Sequence, residues 1–425
     1  MHPNIAIKNL SYLPASRVLK SLPPDFPILF LGGGGDVEIL AISFYEVSWR
    51  DFIGLEPTRM NSYPQQAFAF SAGYMGVVSY DQFQAEALPG RKPSRVFRVN
   101  QSLVFNKKDK KLCYVKAKDD FFKLKALGAT YELPMSFFMN LIKSCNTKAS
   151  QKKMGPLRPR ESDESYLAKC QSAIEEIKNG RFYQINLLRY FDLDGDLTRS
   201  TAIARFERFS GPFGAYFDVG DLSLVSFSPE QFIELLPGRK IQIVSKPIKG
   251  TSPRARSAAT DLRRRENLQT SVKDQCELHM IVDLMRNDLQ KISFAGSVVV
   301  YERGKVNSFK NVHHLIADIR SDLLPEISIG ELMRCLCPCG SITGAPKIEV
   351  MKAIFSYEQR NRGYFMGNVF YWDDGGHFNS SVLIRTLVKG QKNWEYAAGS
   401  GIVLQSKPYD EMQEIKTKCR VLTDP

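Results

Sequence analysis

The sequence predicts a large protein that combines α-helices with β-strands, and three patterns support this fold class. Apolar residues recur at helical spacing in two segments, one from Asp163 to Gly180 and one spanning SVKDQCELHMIVDLMRNDLQ. Runs of strand-forming residues lie between them, in FYQINLLRYFDLDGDL and in LSLVSFSPEQFIELLPGRKIQIVSKPIKG. With 425 residues, 43% of them hydrophobic, the chain can bury a sizeable core in one large domain or in several smaller ones.

The first 150 residues contain short apolar runs separated by Gly and Pro. The run Gly32 to Gly35 follows PILFL, but Val37 stands where a dinucleotide-binding loop needs its third glycine, so a turn is the better interpretation. SLVF and LCYV flank a lysine-rich tip and predict a hairpin. The basic stretch 146–160 contains Gly and Pro and is the best linker candidate. It divides the chain into an N-terminal region, 1–150, and a second region, 160–425.

After the linker the elements are easier to assign. Asp163 can cap the first helix and Gly180 can end it. FYQINLLRYFDLDGDL then predicts a strand, and the next long run predicts two strands joined by a Pro-Gly turn. Such a hairpin would bring Glu230 and Lys249 to the same open end. Further strands and a terminal helix near 409–422 complete the chain.

Composition limits the classes of function. No stretch approaches 18 consecutive apolar residues and the start lacks the apolar core of a signal peptide, so we expect a cytoplasmic protein with no membrane partner. The net charge of +13 suits an anionic partner. No aromatic residue interleaves the lysines between SLVF and LCYV, which argues against a nucleic-acid partner.

Cys335, Cys337 and Cys339 alternate within CLCPC, a spacing unlike that of structural zinc sites, so buried thiols are the better interpretation than a metal site.

Two predicted helices each carry a pair of acids three residues apart, Asp274 with Glu277 and Glu411 with Glu414. That spacing places both members of a pair on one helix face. Acidic pairs of this kind are commonly solvated helix faces. Two such faces brought together would instead offer the carboxylate oxygens that Mg²⁺ takes as ligands. Spacing alone leaves both interpretations open.

Several small or basic segments could meet an anionic substrate. CGSITGAPKIEV lacks the second glycine of a phosphate-binding P-loop, yet it can open a helix and offer amides to an anion together with Ser341 and Thr343. Lys249 lies in PIKGT directly before Gly250, and its amine would become a nucleophile only if its surroundings removed the proton. Arg385, in the strand-like run VLIRTL, must be exposed or paired. A tight turn or a surface charge is the alternative interpretation of each segment.

Taken together, the segments from about residue 160 onward resemble the chorismate-utilising enzymes, a family that contains anthranilate synthase component I, aminodeoxychorismate synthase component I, isochorismate synthase and salicylate synthase. The resemblance rests on segments that follow the family's order, YQINL, SPEQF, PIKGTSPR, ELHMIVDLMRNDL, VHHL, GSITGAPK, IRTL and GSGIV. It implies an α+β fold in which large antiparallel sheets pack face to face between flanking helices. The N-terminal third matches the family weakly.

The resemblance also implies roles for individual residues. Glu277 and Glu414 would hold Mg²⁺ directly, with Asp274 and Glu411 behind them, and the ion would grip the ring carboxylate of chorismate. His314 would lie near the ring. The remaining residues implied to bind substrate are Thr251, Ser341, Thr343, Arg385, Gly399, Ser400, Gly401 and Lys418.

Two positions discriminate among the members of the family. Isochorismate and salicylate synthases resemble one another in a general-base lysine where this chain has Gln184, and an amide cannot accept a proton from water. Anthranilate synthases typically have alanine within PIxGT, where this chain has Lys249, as aminodeoxychorismate synthases do. The resemblance therefore implies that Lys249 attacks C2 of chorismate while Glu230 acts as general acid on the C4 hydroxyl. Ammonia would then attack C4 and give 4-amino-4-deoxychorismate, a precursor of 4-aminobenzoate and folate.

Three features depart from the family's pattern. The stretch from Glu230 to Lys249 is a few residues longer, and Glu234 would rival Glu230 as the acid if the insertion lay outside the turn. Phe370 stands where glycine is usual, and Met366 where Tyr or Cys is usual, which would reshape the substrate pocket. The N-terminal region also lacks the LLES-type stretch associated with tryptophan inhibition, so we expect no tryptophan control.

We expect the ammonia to come from a separate glutamine amidotransferase subunit, because no segment of the chain resembles one. The nearest alternative function is that of anthranilate synthase component I. A more distant alternative is a basic nucleic-acid-binding protein that keeps the fold and has lost catalysis, which the intact set of acids disfavours.

Overall fold

The computed structural model describes residues 5–23, 26–32, 37–55, 72–84, 89–117, 136–137, 140, 154–209, 211–309 and 312–423. Gly33 to Gly35 of the glycine run and residues 146–153 of the linker candidate lie outside these ranges.

The strands are numbered in chain order. Those before the linker candidate are β1 (Ile5–Leu10), β2 (Ile28–Gly32), β3 (Val37–Val47), β4 (Gly73–Val78), β5 (Arg95–Asn106) and β6 (Lys111–Ala117). Those from it to the middle of the chain are β7 (Leu157–Pro159), β8 (Gln184–Leu193), β9 (Ala215–Val219), β10 (Leu222–Ser226), β11 (Gln231–Leu236), β12 (Gln242–Ser245) and β13 (Ile248–Pro253). The last are β14 (Val299–Ser308), β15 (Val312–Asp322), β16 (Gly344–Ala345), β17 (Asn368–Asp373), β18 (Phe378–Val382), β19 (Thr386–Lys389) and β20 (Trp394–Ile402).

Nine α-helices lie within the described residues. They are α1 (Ala15–Ser21), α2 (Trp49–Ile53), α3 (Asp163–Lys178), α4 (Arg199–Phe209), α5 (Ala258–Gln269), α6 (Val272–Gln290), α7 (Ile329–Leu336), α8 (Lys347–Glu358) and α9 (Pro408–Thr423). Within these ranges, no helix has both the length and the apolar character needed to span a bilayer.

All strand pairings are antiparallel, and they form two large sheets that meet at β3 and β5. One sheet runs from β14 through β15, β12 and β13, β11, β18 and β17 to β4, which pairs with the Arg95–Val99 half of β5. The other runs from β3 through β2, β9, β10, β19 and β20 to β8. The pairing of β3 with β5 shifts register on both sides of Ser43, and such bulges let a sheet bend.

The alternation of side chains along β8 shows how the layers are packed. Leu188 and Tyr190 belong to the same buried cluster as Val77 of β4 and Tyr371 of β17, so this face meets the other sheet. The opposite face of β8 packs, through Leu187, against the flanking helices α3 and α9. The fold is therefore α+β with antiparallel sheets packed face to face, as predicted. Strands of the first 150 residues take part in both sheets, since β4 pairs with β17 and β2 pairs with β9.

Most of the predicted elements are present, and three details were wrong. The residue that caps α3 is Ser162, whose hydroxyl accepts the amide of Ser165, and not Asp163. The long run expected to form two strands forms four, β10 to β13, because the chain breaks the pairing at Pro229 and Pro247. Part of the linker candidate, β7, pairs with the end of β8.

Candidate active site

Ser341 joins the two residues that the sequence placed at one open end of a hairpin. The Ser341 hydroxyl donates a hydrogen bond of 2.9 Å to Oε1 of Glu230, and the Ser341 carbonyl accepts one of 3.2 Å from Nζ of Lys249. Glu230 directly precedes β11, and Lys249 lies in β13. An amine and a carboxyl group therefore meet at one residue of the GSITGAPK segment.

Glu230 lies in an environment that favours its protonated form. Its side chain is 8% exposed, and burial raises the pKa of this carboxyl above its ordinary value. The positive charge of Lys249 and the hydrogen bond from Ser341 act in the opposite direction, but burial is the larger effect. A raised pKa makes a carboxyl better suited to act as a proton donor than an exposed glutamate.

A bulge directs Lys249 toward the helices. The pairing of β13 with β15 shifts register between Lys249 and Thr251. The intervening Gly250 has φ +72, and a Cβ at this position would lie 2.9 Å from a carboxylate oxygen of Asp274 on α6. Glycine is thus required twice, by the backbone conformation and by the close approach of α6. The bulge places the lysine beside the acidic helix.

His314 lies next to this bulge. A hydrogen bond of 2.9 Å joins Nδ1 of His314 to the hydroxyl of Thr251 across the β13–β15 pairing. Burial and the nearby charge of Arg385 lower the pKa of His314 to about 4, so the imidazole is neutral at physiological pH. Arg385 has φ +51, and no carboxylate in the described part of the chain lies within 4 Å of its guanidinium. Its charge is therefore available to an anionic ligand.

The two acidic helix faces do come together. Nζ of Lys273 lies 3.9 Å from a carboxylate oxygen of Glu277 on α6 and 3.9 Å from one of Glu411 on α9. Burial raises the pKa of Glu277, and the charges of Asp274 and Glu411 add to this effect. Burial also raises the pKa of Glu411, which accepts a hydrogen bond of 2.7 Å from the hydroxyl of Ser406. Glu411 is thus buried and Asp274 and Glu277 are half-buried, unlike the acids of a solvated helix face, whereas Glu414 is exposed.

Glu414, the fourth acid, is tied to the end of β20. Nζ of Lys418 lies 2.7 Å from a Glu414 carboxylate oxygen and donates a second bond of 2.7 Å to the carbonyl of Gly399. Burial would raise the pKa of Glu414, but the charges of Lys418, Lys273 and Lys249 outweigh burial and lower it. The charge of Lys249 also acts to lower the pKa of Glu230 and of Glu277, against the larger effect of burial. One ammonium group therefore acts on both of these acids and on Glu414 at the β20 end of the site.

Gly399, Ser400 and Gly401 follow one another in β20, so the positions of their side chains alternate between the two faces of the strand. The side chain of Ser400 points to the helices, where its hydroxyl lies 3.1 Å from that of Tyr166. On the opposite face, side chains of β8 lie directly against the two glycines: a Cβ at Gly399 would lie 2.5 Å from Oδ1 of Asn186, and one at Gly401 would lie 2.6 Å from Nε2 of Gln184. The two glycines thus keep room beside the amide side chains of β8.

Two polar atoms at this face have no hydrogen-bond partner among the residues that the structure describes. Oε1 of Gln184 and Oδ1 of Asn186 are buried and accept no hydrogen bond from any described group. An unpaired buried acceptor costs free energy, on the order of 1–3 kcal/mol, unless a ligand or water supplies a donor. The unsatisfied oxygens and the missing side chains of the glycines mark this face as a place for a polar ligand.

The GSITGAPK segment is held firmly between the sheets. Thr343 is fully buried, and its hydroxyl donates to the carbonyl of Cys339 at 2.8 Å and lies 3.4 Å from the hydroxyl of Tyr80. Burial raises the pKa of Cys339 to about 11 and that of Cys337 to about 12, so both thiols stay protonated. Cys337 and Cys339 are thus buried thiols, whereas Cys335 is half-buried.

The donor set is suited to a hard divalent cation, although the described side chains include no three acids, histidines or cysteines that already enclose a single point. The Lys273 ammonium lies near Glu277 and Glu411 and its charge acts on Glu414, while the charge of Asp274 acts on Glu277. Carboxylates whose pKa is raised by one another are stabilised by an added positive charge. The chemistry of the site fits Mg²⁺.

The departures from the family's pattern lie away from these groups. The insertion stays in the turn after β11, and the Glu234 carboxylate accepts a hydrogen bond of 2.8 Å from Nε2 of His377. Phe370 stacks on Phe52 and Phe378 in the interior of its sheet, where a Cβ at Gly76 would collide with it.

Some residues of the site were not singled out from the sequence. Lys273 stands four residues before Glu277, an i,i+4 pair that helical spacing could have revealed. Asn186 follows Gln184 by two positions, which places both on one face of a strand. Nothing in the sequence indicated that Tyr80 contacts Thr343, because the two positions are 263 residues apart.

Comparison with known proteins identifies the family of this chain. The family of chorismate binding enzymes matches residues 48–424, and the chain belongs to this family. Aminodeoxychorismate synthase component 1 of Salmonella typhimurium is 36% identical over 250 residues, which are 59% of this chain and 54% of that protein. Anthranilate synthase component 1 of Aquifex aeolicus is 31% identical over 254 residues, 59% of this chain and 51% of that protein. The matched segments thus span about half the length of these relatives.

Solved structures share the fold. Anthranilate synthase component I from Streptococcus pneumoniae superimposes with a TM-score of 0.73 at 22% identity, over 100% of this chain and 93% of that chain. The menaquinone-specific isochorismate synthase of Escherichia coli also gives a TM-score of 0.73, at 16% identity, over 99% and 95% of the two chains. The family resemblance and the fold are therefore confirmed.

We predict that His314 titrates near pH 4 in the folded protein, as measured by NMR of the labelled imidazole. Replacing Arg385 with Gln removes a positive charge and should raise this pKa. The matched variant Arg385→Lys keeps the charge and should leave it nearer the wild-type value. Titration of wild-type His314 close to the ordinary value of about 6.5 would show that the imidazole is not buried beside the arginine.

Proposed function

We propose that this protein is the chorismate-binding component of an aminodeoxychorismate synthase and converts chorismate and ammonia to 4-amino-4-deoxychorismate. The observation that carries the proposal is the meeting of Lys249 and Glu230 at Ser341, which provides a nucleophilic amine and a proton donor at one point. Relatives named aminodeoxychorismate synthase support it, at 33–36% identity over 59–63% of the chain.

Chorismate carries two carboxylates, and each of them needs a binding group in the site. We propose that the enolpyruvyl carboxylate binds Arg385 beside Thr343, and that the ring carboxylate binds the backbone of Gly399 to Gly401. Gly399 and Gly401 lack the side chains that would block this approach. His314, neutral and hydrogen-bonded to Thr251, would flank the ring without adding charge.

Mg²⁺, when bound, would neutralise the acidic helices and fix the ring carboxylate. We propose that Glu277 and Glu414 ligate it, with Asp274 and Glu411 behind them. Without the ion, the ammonium group of Lys273 balances part of the charge of Glu277 and Glu411, at 3.9 Å from each. At this distance an incoming cation could displace the ammonium group.

The reaction would proceed in two displacements. The uncharged Lys249 amine attacks C2 as the two conjugated ring double bonds shift and the C4–O bond breaks, and Glu230 gives its proton to the hydroxyl, which leaves as water. Ammonia then attacks C4, both double bonds shift back, and the C2–N bond breaks to restore the Lys249 amine. The new C4 ammonium group returns a proton to Glu230. The raised pKa of Glu230 suits this alternation between acid and base.

We predict that treatment with chorismate alone gives an adduct on Lys249 with the mass of chorismate less one water, seen by mass spectrometry of the digested protein. Lys249→Ala should lose the adduct and form no C4-aminated product. The matched control Lys246→Ala changes a lysine three positions away and should keep both. Formation of anthranilate and pyruvate by the wild-type protein would instead identify it as an anthranilate synthase.

We predict that MgCl₂ raises the melting temperature, because a cation that binds only the folded state stabilises it by mass action. Glu277→Gln and Glu414→Gln should each abolish this rise by removing a ligand. Glu349→Gln alters an exposed acid that is paired with Lys352 on α8 and should leave the rise unchanged. An equal rise in all variants would exclude these two acids as ligands.

We predict that the purified chain uses ammonium salts as its nitrogen source but not glutamine, because we propose that a glutamine amidotransferase subunit supplies ammonia in the cell. The measurement is product formation with each nitrogen source at a pH that maintains free NH₃. Efficient use of glutamine by the chain alone would contradict this prediction.

A further inference from the structure

Strand β8 carries Gln184 and Asn186, whose side chains lie against the glycines of β20. The two edges of β8 are paired differently. One edge pairs continuously with β20, from Ile185 to Asp192. The other edge pairs with β16 only at its start and with β7 only at its end. Between them lies a gap at Asn186–Tyr190, next to the glycines of β20. Main-chain hydrogen bonds reach only its two ends, where the Asn186 amide donates to the Thr343 carbonyl and the Tyr190 carbonyl accepts from the Arg160 amide, both at 2.9 Å. Unpaired backbone groups in a buried strand must find other partners.

Two side chains fill this gap. Nη2 of Arg362 donates to the carbonyl of Asn186 at 2.7 Å, and Oε1 of Glu358 accepts the amide of Leu188 at 3.0 Å. The Tyr190 hydroxyl donates to Oε2 of Glu358 at 2.8 Å. An ion pair therefore takes the place of the missing strand segment.

The pair is internally rigid and completely enclosed. Nε and Nη2 of Arg362 donate to the two Glu358 oxygens at 3.0 and 2.6 Å, a bidentate geometry, and the two side chains are 1% and 2% exposed. The Arg362 guanidinium also lies 4.6 Å from the centre of the Tyr80 ring. The main chain is fixed as well, because the Asp81 carboxylate accepts the amides of Arg362 and Gly363.

The same guanidinium holds the opposite wall of the candidate active site. Nη1 of Arg362 donates at 3.2 Å to the carbonyl of Ile342, which lies between Ser341 and Thr343. Asn186, held by the other nitrogen, has its side chain against Gly399. One planar group thus fixes the separation between the Ser341–Thr343 segment and the β8–β20 face.

We propose that Glu358 and Arg362 act as positioning residues that set the width of the chorismate-binding cleft. This inference rests on the proposed function for its ligand. A lysine at 362 keeps the charge but cannot hold Asn186, Ile342 and Glu358 at once, because its three donors radiate from one point.

The test compares Arg362→Lys and Glu358→Gln with Arg160→Lys and Asp192→Asn. The control pair is also a bidentate arginine–carboxylate contact on β8, at 3.0 and 2.6 Å, but it lies at the end away from the cleft and is about one-third exposed. Positioning predicts that the first two variants raise KM for chorismate and lower kcat/KM by roughly ten- to a hundredfold at temperatures where they are folded. The controls should retain the wild-type values. Melting-temperature losses with unchanged KM would show a purely structural role and overturn the proposal.

A second measurement does not depend on chorismate. Hydrogen exchange should quicken at the amides of Asn186 and Leu188 and in the 340–343 segment of Arg362→Lys and Glu358→Gln, and stay unchanged in the controls. Unchanged exchange at both segments would overturn the positioning role. Failure of the wild-type protein to bind chorismate would remove the proposed function, while the exchange data would still decide whether this pair sets the cleft.

Discussion

The placement of one short segment, Gly340–Ile342 with Thr343, governs the candidate active site. Ser341 uses its carbonyl to hold the Lys249 ammonium and its hydroxyl to hold the Glu230 carboxyl, so displacement of the segment would separate both. The segment has little secondary structure of its own and depends on outside contacts. Thr343 bonds back to Cys339, and Arg362 grips the carbonyl of Ile342.

Charge imposes the second constraint. The four acids of α6 and α9 outnumber the ammonium groups of Lys249, Lys273 and Lys418 that affect their pKa values. Gathering acids in a partly buried cleft is unfavourable without a cation, and the raised pKa values of Glu277 and Glu411 record this cost. The arrangement is costly to the free protein and complementary to a divalent ion, which is typical of a binding site. A surface arrangement of the same acids would show no such shifts.

The sequence predicted those parts of the structure that depend on local pattern. Helix α6 and the terminal helix follow their apolar spacing, and β8 follows its run of strand-forming residues. The wrong capping residue of α3 came from two adjacent capping candidates, Ser162 and Asp163, between which local preference does not decide. The integration of β2 and β4 into the two sheets had no local signal, because their partners β9 and β17 lie far away along the chain.

The same distinction between local sequence patterns and contacts between distant positions applies to the candidate active site. The acidic pairs were visible because helical spacing is local, and Lys249 with Glu230 because they lie in neighbouring segments. The sequence did not reveal the residues that hold these groups at their separation. Glu358 and Arg362 stand four apart and form an ordinary helix-type pair in the sequence, yet their partners on β8 are about 170 residues away.

Gly250 shows how tightly backbone and chemistry are coupled in this fold. Because it has a positive φ and approaches Asp274 closely, the chain can bulge at Lys249 while α6 stays in contact. A larger residue would move Lys249 away from α6, although glycine itself contributes no functional group to the candidate active site. The placement of Lys249 beside the acidic helix therefore depends on the backbone of its neighbour as well as on its own side chain.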